Sequence, residues 1–130
     1  MAKQFFFYRD EHVDAALVEL KRRLRPQMDA IGVSDVTNKP LLKLAIREAA
    51  QNIATINWVQ YIHAYMDASN VFRRSATYLD DDTMRDLKLI QKHIRANAEA
   101  TAIKKGKKAP IMLAAYIAIR WSGESREAVG

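Results

Sequence analysis

A chain of 130 residues with a formal charge of +6 is long enough for one compact domain with a real core, and its surplus of lysine and arginine points toward a polyanionic partner. It contains no cysteine, which excludes a disulfide scaffold and a cysteine-ligated zinc or iron–sulfur centre and fits a reducing, cytoplasmic setting. No apolar run approaches the roughly 20 residues that span a bilayer, and the opening residues lack a signal-peptide pattern, so no membrane role is expected.

The first element is aromatic. Phe5, Phe6, Phe7 and Tyr8 follow Lys3 and Gln4 and precede Arg9, and this stretch holds three of the four phenylalanines. It predicts a short β-strand with Phe5 and Phe7 on one face and Gln4, Phe6 and Tyr8 on the other. Asp10 is placed to cap a helix, with Glu11 in its first turn. Val13, Ala16, Leu17, Leu20 and Leu24 then recur at helical spacing. Lys21, Arg22, Arg23 and Arg25 crowd the end of that helix, and Pro26 is expected to end or disturb it. A connector runs from Pro26 to Thr37. Thr37 or Asn38 is placed to cap the next helix, with Pro40 tolerated in its first turn.

Leu41, Leu44, Ala45 and Ala49 continue the helical pattern, which runs on through Ile53, Ile56, Val59, Ile62 and Met66. One long helix, or two jointed near Asn57, is expected, with a break around Tyr78–Asp82. The acids Asp80, Asp81 and Asp82 read as caps for a helix over Met84, Leu87, Ile90 and Ile94, reaching Ile103, rather than as a calcium loop, which needs more oxygen donors and a glycine. Lys104, Lys105, Lys107 and Lys108 form a basic turn. Pro110 opens a last apolar helix through Trp121, with Ser122 and Gly123 as its stop. No internal repeat is visible. The expected architecture is mostly α with one short N-terminal β-strand: residues 1–56 as a strand–helix–helix part, 57–123 as a helical bundle or oligomerisation part, and 124–130 as a frayed tail.

A lone strand leaves its backbone donors and acceptors unpaired. No second strand stands out, Ile31–Val36 being a weak candidate. The expected partner is the same strand of a second copy, paired antiparallel across a two-fold axis.

The strand Lys3–Arg9, the Asp10-Glu11 helix start, the Val13/Leu17/Leu20 spacing and the stretch TNKPLLKLAIREAA together resemble the ribbon-helix-helix DNA-binding family. The layout of about the first 55 residues looks more particularly like plasmid relaxosome accessory proteins of the TraM type. The resemblance implies a dimeric or tetrameric protein whose β-ribbon enters the major groove of double-stranded DNA. Gln4, Phe6 and Tyr8 would face the bases. Lys3, Arg9, Asn38 and Lys39 would hold phosphates, and Lys104, Lys105, Lys107 and Lys108 would add a second electrostatic contact. Phe6 departs from the polar pattern usual at such a position. The resemblance also implies a role in transcription regulation or plasmid conjugation, with a relaxase or coupling protein as a further partner and C-terminal contacts through residues such as Met66, Phe72 and Trp121.

No enzyme is expected and no cofactor is called for. His12, His63 and His93 share no ligand spacing, and there is no phosphate-binding glycine loop and no nucleophile elbow. The competing expectation is a small helical adaptor or inhibitor that binds a protein through its first strand.

Overall fold

The computed structural model describes residues 3–67, 73–96 and 111–125. In chain order these form β1 (Lys3–Arg9), α1 (Glu11–Ala30), α2 (Asn38–Gln51), a 3-10 turn (Ile53–Thr55), α3 (Trp58–Asp67), β2 (Arg73–Leu79), α4 (Asp81–Ala96) and α5 (Ile111–Ser125). The protein is mostly helical, as composition and periodicity predict.

Two strands are present among the described residues, not one. β1 pairs antiparallel with β2 of the same chain, Lys3 opposite Leu79 and Arg9 opposite Arg73, with Phe6 facing Ala76 at the centre. The expected second copy of β1 is therefore not what satisfies this edge. β2 reads RRSATYL, with no apolar run to announce it.

The order strand–helix–helix occurs twice, as β1-α1-α2 and β2-α4-α5, with α3 between. Equivalent residues recur at one constant spacing: Asp10 and Asp80, Val13 and Thr83, Leu17 and Leu87, Leu20 and Ile90, Leu24 and Ile94. All but Asp80 are buried. An internal repeat thus exists, carried by burial pattern and capping rather than by residue identity.

The two units interlock. α2 packs on α4, and α5 packs on α1, so each unit's second helix covers the other unit's first. α5 is buried on every side from Leu113 to Ile119, as a helix apolar all round must be. One hydrophobic cluster takes in residues from Phe5 to Ile119.

Several expected boundaries move. α1 continues past Pro26 to Ala30. Pro26 costs the helix one backbone donor but lies on its exposed side. The connector shrinks to Ile31–Thr37, where Gly32 adopts φ 78°, a conformation glycine takes freely. The joint expected near Asn57 is found between Gln51 and Trp58. α5 runs through Ser122 and Gly123 instead of stopping there. Gly123 serves packing: a Cβ at this position would lie 2.5 Å from that of Ala16, so only glycine lets α5 approach α1 this closely.

The basic cluster Lys21–Arg25, which falls inside α1 and not in its last turn, is mostly tied to protein. Arg22 bonds Glu19, and Arg25 donates to the Ser34 carbonyl at 2.8 Å. Arg23 reaches the Ser122 carbonyl at 2.7 Å near the end of α5. Glu48 lies beside the same guanidinium and accepts from Ser122 Oγ at 2.9 Å.

Candidate nucleic-acid interface

Pleating divides the ribbon as the sequence predicts. Phe5 and Phe7 turn into the core, joined from β2 by Thr77 and Leu79. The opposite face carries three cross-strand pairs: Gln4 with Tyr78, Phe6 with Ala76, and Tyr8 with Arg74. Phe6 is 39% and Tyr78 55% exposed, and Gln4, Ala76 and Arg74 are exposed as well. The Arg74 guanidinium lies 4.7 Å from the centre of the Phe6 ring, a cation–π contact that keeps the cation over the aromatic face. Tyr8 is half-buried and leans on Tyr65 of α3, with ring centres 6.3 Å apart. Tyr65 in turn meets Tyr116 edge-on at 5.3 Å.

The ribbon ends are built differently. At one end Asp14 of α1 accepts from Arg9 Nε at 2.8 Å and pairs with Arg73, while Arg9 also reaches Ser75 Oγ at 3.3 Å. Partial burial alone would raise the Asp14 pKa, but hydrogen bonds from Arg9 and Arg73 hold it below the usual carboxylate range. Arg9 is thereby held between β1, α1 and β2. At the other end Lys3 stands opposite Leu79.

Beneath the ribbon, two aspartates fix how strands meet helices. Asp10 Oδ1 accepts from Val13 N–H at 2.8 Å, and Asp80 Oδ1 accepts from Thr83 N–H at 2.8 Å, each capping its own helix. Each spends its second oxygen on the other unit. Asp10 Oδ2 accepts from the Tyr116 hydroxyl of α5 at 2.9 Å, and Asp80 Oδ2 from Lys43 Nζ of α2 at 2.9 Å. Asp80 is held well below the ordinary carboxylate range, chiefly by the Lys43 hydrogen bond and then by those from Thr83. Burial pushes the Tyr116 phenol up to about 12; the bond to Asp10 works in the same direction and the Arg120 guanidinium against it. Arg120 bonds the Tyr116 oxygen and Glu124, and Tyr61 donates to Glu124 at 3.0 Å, with its own pKa raised by burial and by that carboxylate.

The structure gathers Gln4, Phe6 and Tyr8 on one outward face with Lys3 at its edge. Lys39 is exposed at the start of α2, and Asn38 beside it is half-buried. Lys104, Lys105, Lys107, Lys108 and Phe72 lie outside the described residues. Trp121 packs half-buried against the core. Arg47 is exposed on α2. Sequence reasoning missed Arg73, Arg74 and Tyr78. The signal was there in muted form: KQFFFYRD and RRSATYLD share two long polar or basic residues, then a tyrosine two places before a capping aspartate.

Among the described residues, no group of histidine and acidic side chains gathers to hold a metal ion. Asp80 is a cap, and Asp82 pairs with Arg85. No helix among them is long and apolar enough to cross a membrane. Comparison with family models, with curated proteins and with solved structures found no match for this chain.

Proposed function

We propose that this protein binds double-stranded DNA without enzymatic activity, laying its single-chain β-ribbon in the major groove. The observation that carries this reading is the outward face of the ribbon, where Gln4, Tyr8, Arg74 and Tyr78 offer hydrogen-bonding groups opposite the core. A two-stranded ribbon fits the major groove, and glutamine, arginine and tyrosine there reach base edges. Lys3, Arg73 and Lys39 are exposed to meet phosphates, and the net charge of +6 favours the approach. The resemblance in the sequence extends the reading to a regulator or a plasmid DNA-processing accessory factor, with a relaxase or coupling protein as a further partner.

The test is fluorescence anisotropy on duplex fragments from the DNA upstream of its own gene. Deleting β1 would strip β2 of its partner, so outward substitutions are the cleaner probe. Gln4→Ala and Arg74→Ala are expected to weaken binding roughly 5- to 150-fold each, and Arg47→Ala, on α2, to leave it unchanged. Equal affinity for all three variants would remove the ribbon from the mechanism.

A second reading rests on Phe6 and Tyr78, two large rings exposed on one face. Aromatic residues of this kind anchor protein interfaces. An adaptor of that kind would bind a protein through the same ribbon and show no affinity for any duplex.

A further inference from the structure

We infer that the ribbon reads a duplex site lacking two-fold symmetry, one chain per site, with an A·T pair under Gln4 and a G·C pair under Arg74. This rests on the duplex-binding reading and specifies its target. A ribbon made from two copies of one strand presents identical ends by symmetry, and its site is a palindrome to match. Here the two strands belong to one chain and differ at equivalent positions. Gln4 answers to Arg74, Phe6 to Ala76, Lys3 to Arg73 and Arg9 to Leu79; only Tyr8 and Tyr78 agree.

Antiparallel pairing sorts these differences to opposite ends. One end carries Gln4 beside Tyr78, and the other carries Arg74 beside Tyr8. A glutamine amide matches the N6 and N7 edge of adenine, donating to one atom and accepting from the other. An arginine fork donates twice, to O6 and N7 of guanine. Arg74 is also partly preorganised, because its cation–π contact with Phe6 restricts where the guanidinium can lie. At the centre Phe6 stands on one strand only, with Ala76 opposite, so the middle step is lopsided too; a thymine methyl suits the ring.

The experiment is selection of randomised duplexes by the full chain, followed by native mass spectrometry of the selected complex. The expected consensus has an A·T pair in one half and a G·C pair in the other, bound by one chain. Arg74→Gln is expected to lose roughly 5- to 150-fold of the preference for guanine in that half and to shift it toward adenine, leaving the other half unchanged. Gln4→Arg is expected to do the reverse. Circular dichroism controls for folding, since both side chains are exposed. A palindromic consensus, a site filled by two chains, or salt-sensitive binding without any consensus would overturn this inference while leaving duplex binding standing. No binding to any duplex would overturn both.

Discussion

β1 sends Phe5 and Phe7 into the core, whereas β2 sends Thr77 and Leu79 and lays Ser75 beside them. Each inward phenylalanine of β1 faces a small residue across the ladder, Phe5 opposite Thr77 and Phe7 opposite Ser75. The volume needed beneath the ribbon is supplied mainly by one strand, which leaves the other polar enough to escape notice. The supporting aspartates differ in the same way. Asp10 is 4% exposed and meets a buried phenol, while Asp80 is more open and meets a lysine that also touches water. The two units thus share a backbone plan and the positions of their first-helix core, and they divide polarity unequally.

That comparison can be broken most forcefully in the core. Leu20 and Ile90 are equivalent and fully buried. Leu20→Ala and Ile90→Ala are each expected to cost about 2–5 kcal/mol in urea unfolding. A near-neutral Ile90→Ala would mean that the second unit does not share the core.

The aspartates sharpen the contrast at a smaller scale. Asp80→Ala removes a helix cap, at a cost of about 0.5–2 kcal/mol; Lys43, 43% exposed, turns to water. Asp10→Ala removes a cap and also the acceptor for the buried Tyr116 hydroxyl, to which Arg120 still donates, adding about 1–3 kcal/mol. The Asp10 variant is therefore expected to be the less stable, and equal losses would show that the Tyr116 contact contributes nothing.

Titration should separate the same two sites, with the smallest effects. The Tyr116 phenol ionises near 12 in the folded protein, above the roughly 10 of an unfolded chain. Its contribution is fully present below pH ~10 and is lost as pH rises from there through the folded value. Tyr116→Phe should flatten that alkaline slope. Asp80 is depressed, so its contribution is present above the unfolded value near pH ~3.9 and is lost as pH falls below it. Asp80→Asn should flatten the acid limb, with chemical denaturation across pH as the measurement in both cases.

The first unit was legible in the sequence because its signals are local and strong. An aromatic run, a capping aspartate and a 3–4 spacing of leucines gave β1 and α1, and the inward and outward faces of β1 followed from alternation. The second unit was not, for physical reasons that particular residues make plain. β2 needs only Thr77 and Leu79 buried because Phe5 and Phe7 fill the space, so Arg73–Leu79 carries little β pattern. Leu17, Leu20 and Leu24 match Leu87, Ile90 and Ile94 in position, but Thr83 replaces Val13 and Asp86 replaces Ala16, which hides the repeat from simple inspection. Arg74 could be seen as outward only once β2 was known to be a strand. Gly123 looked like a helix stop because nothing local reveals that Ala16 of another helix lies against it.

The closure of β1 onto β2 across about 70 residues also sets an order of events during synthesis. At a ribosomal pace of roughly 5–20 residues per second, Phe5, Phe6 and Phe7 emerge several seconds before Arg73–Leu79 exists to pair with them. During that interval the aromatic edge is a sticky, unpaired template, and the charges that bracket it, Lys3 and Arg9, are the nearest guards against its joining a neighbouring nascent chain.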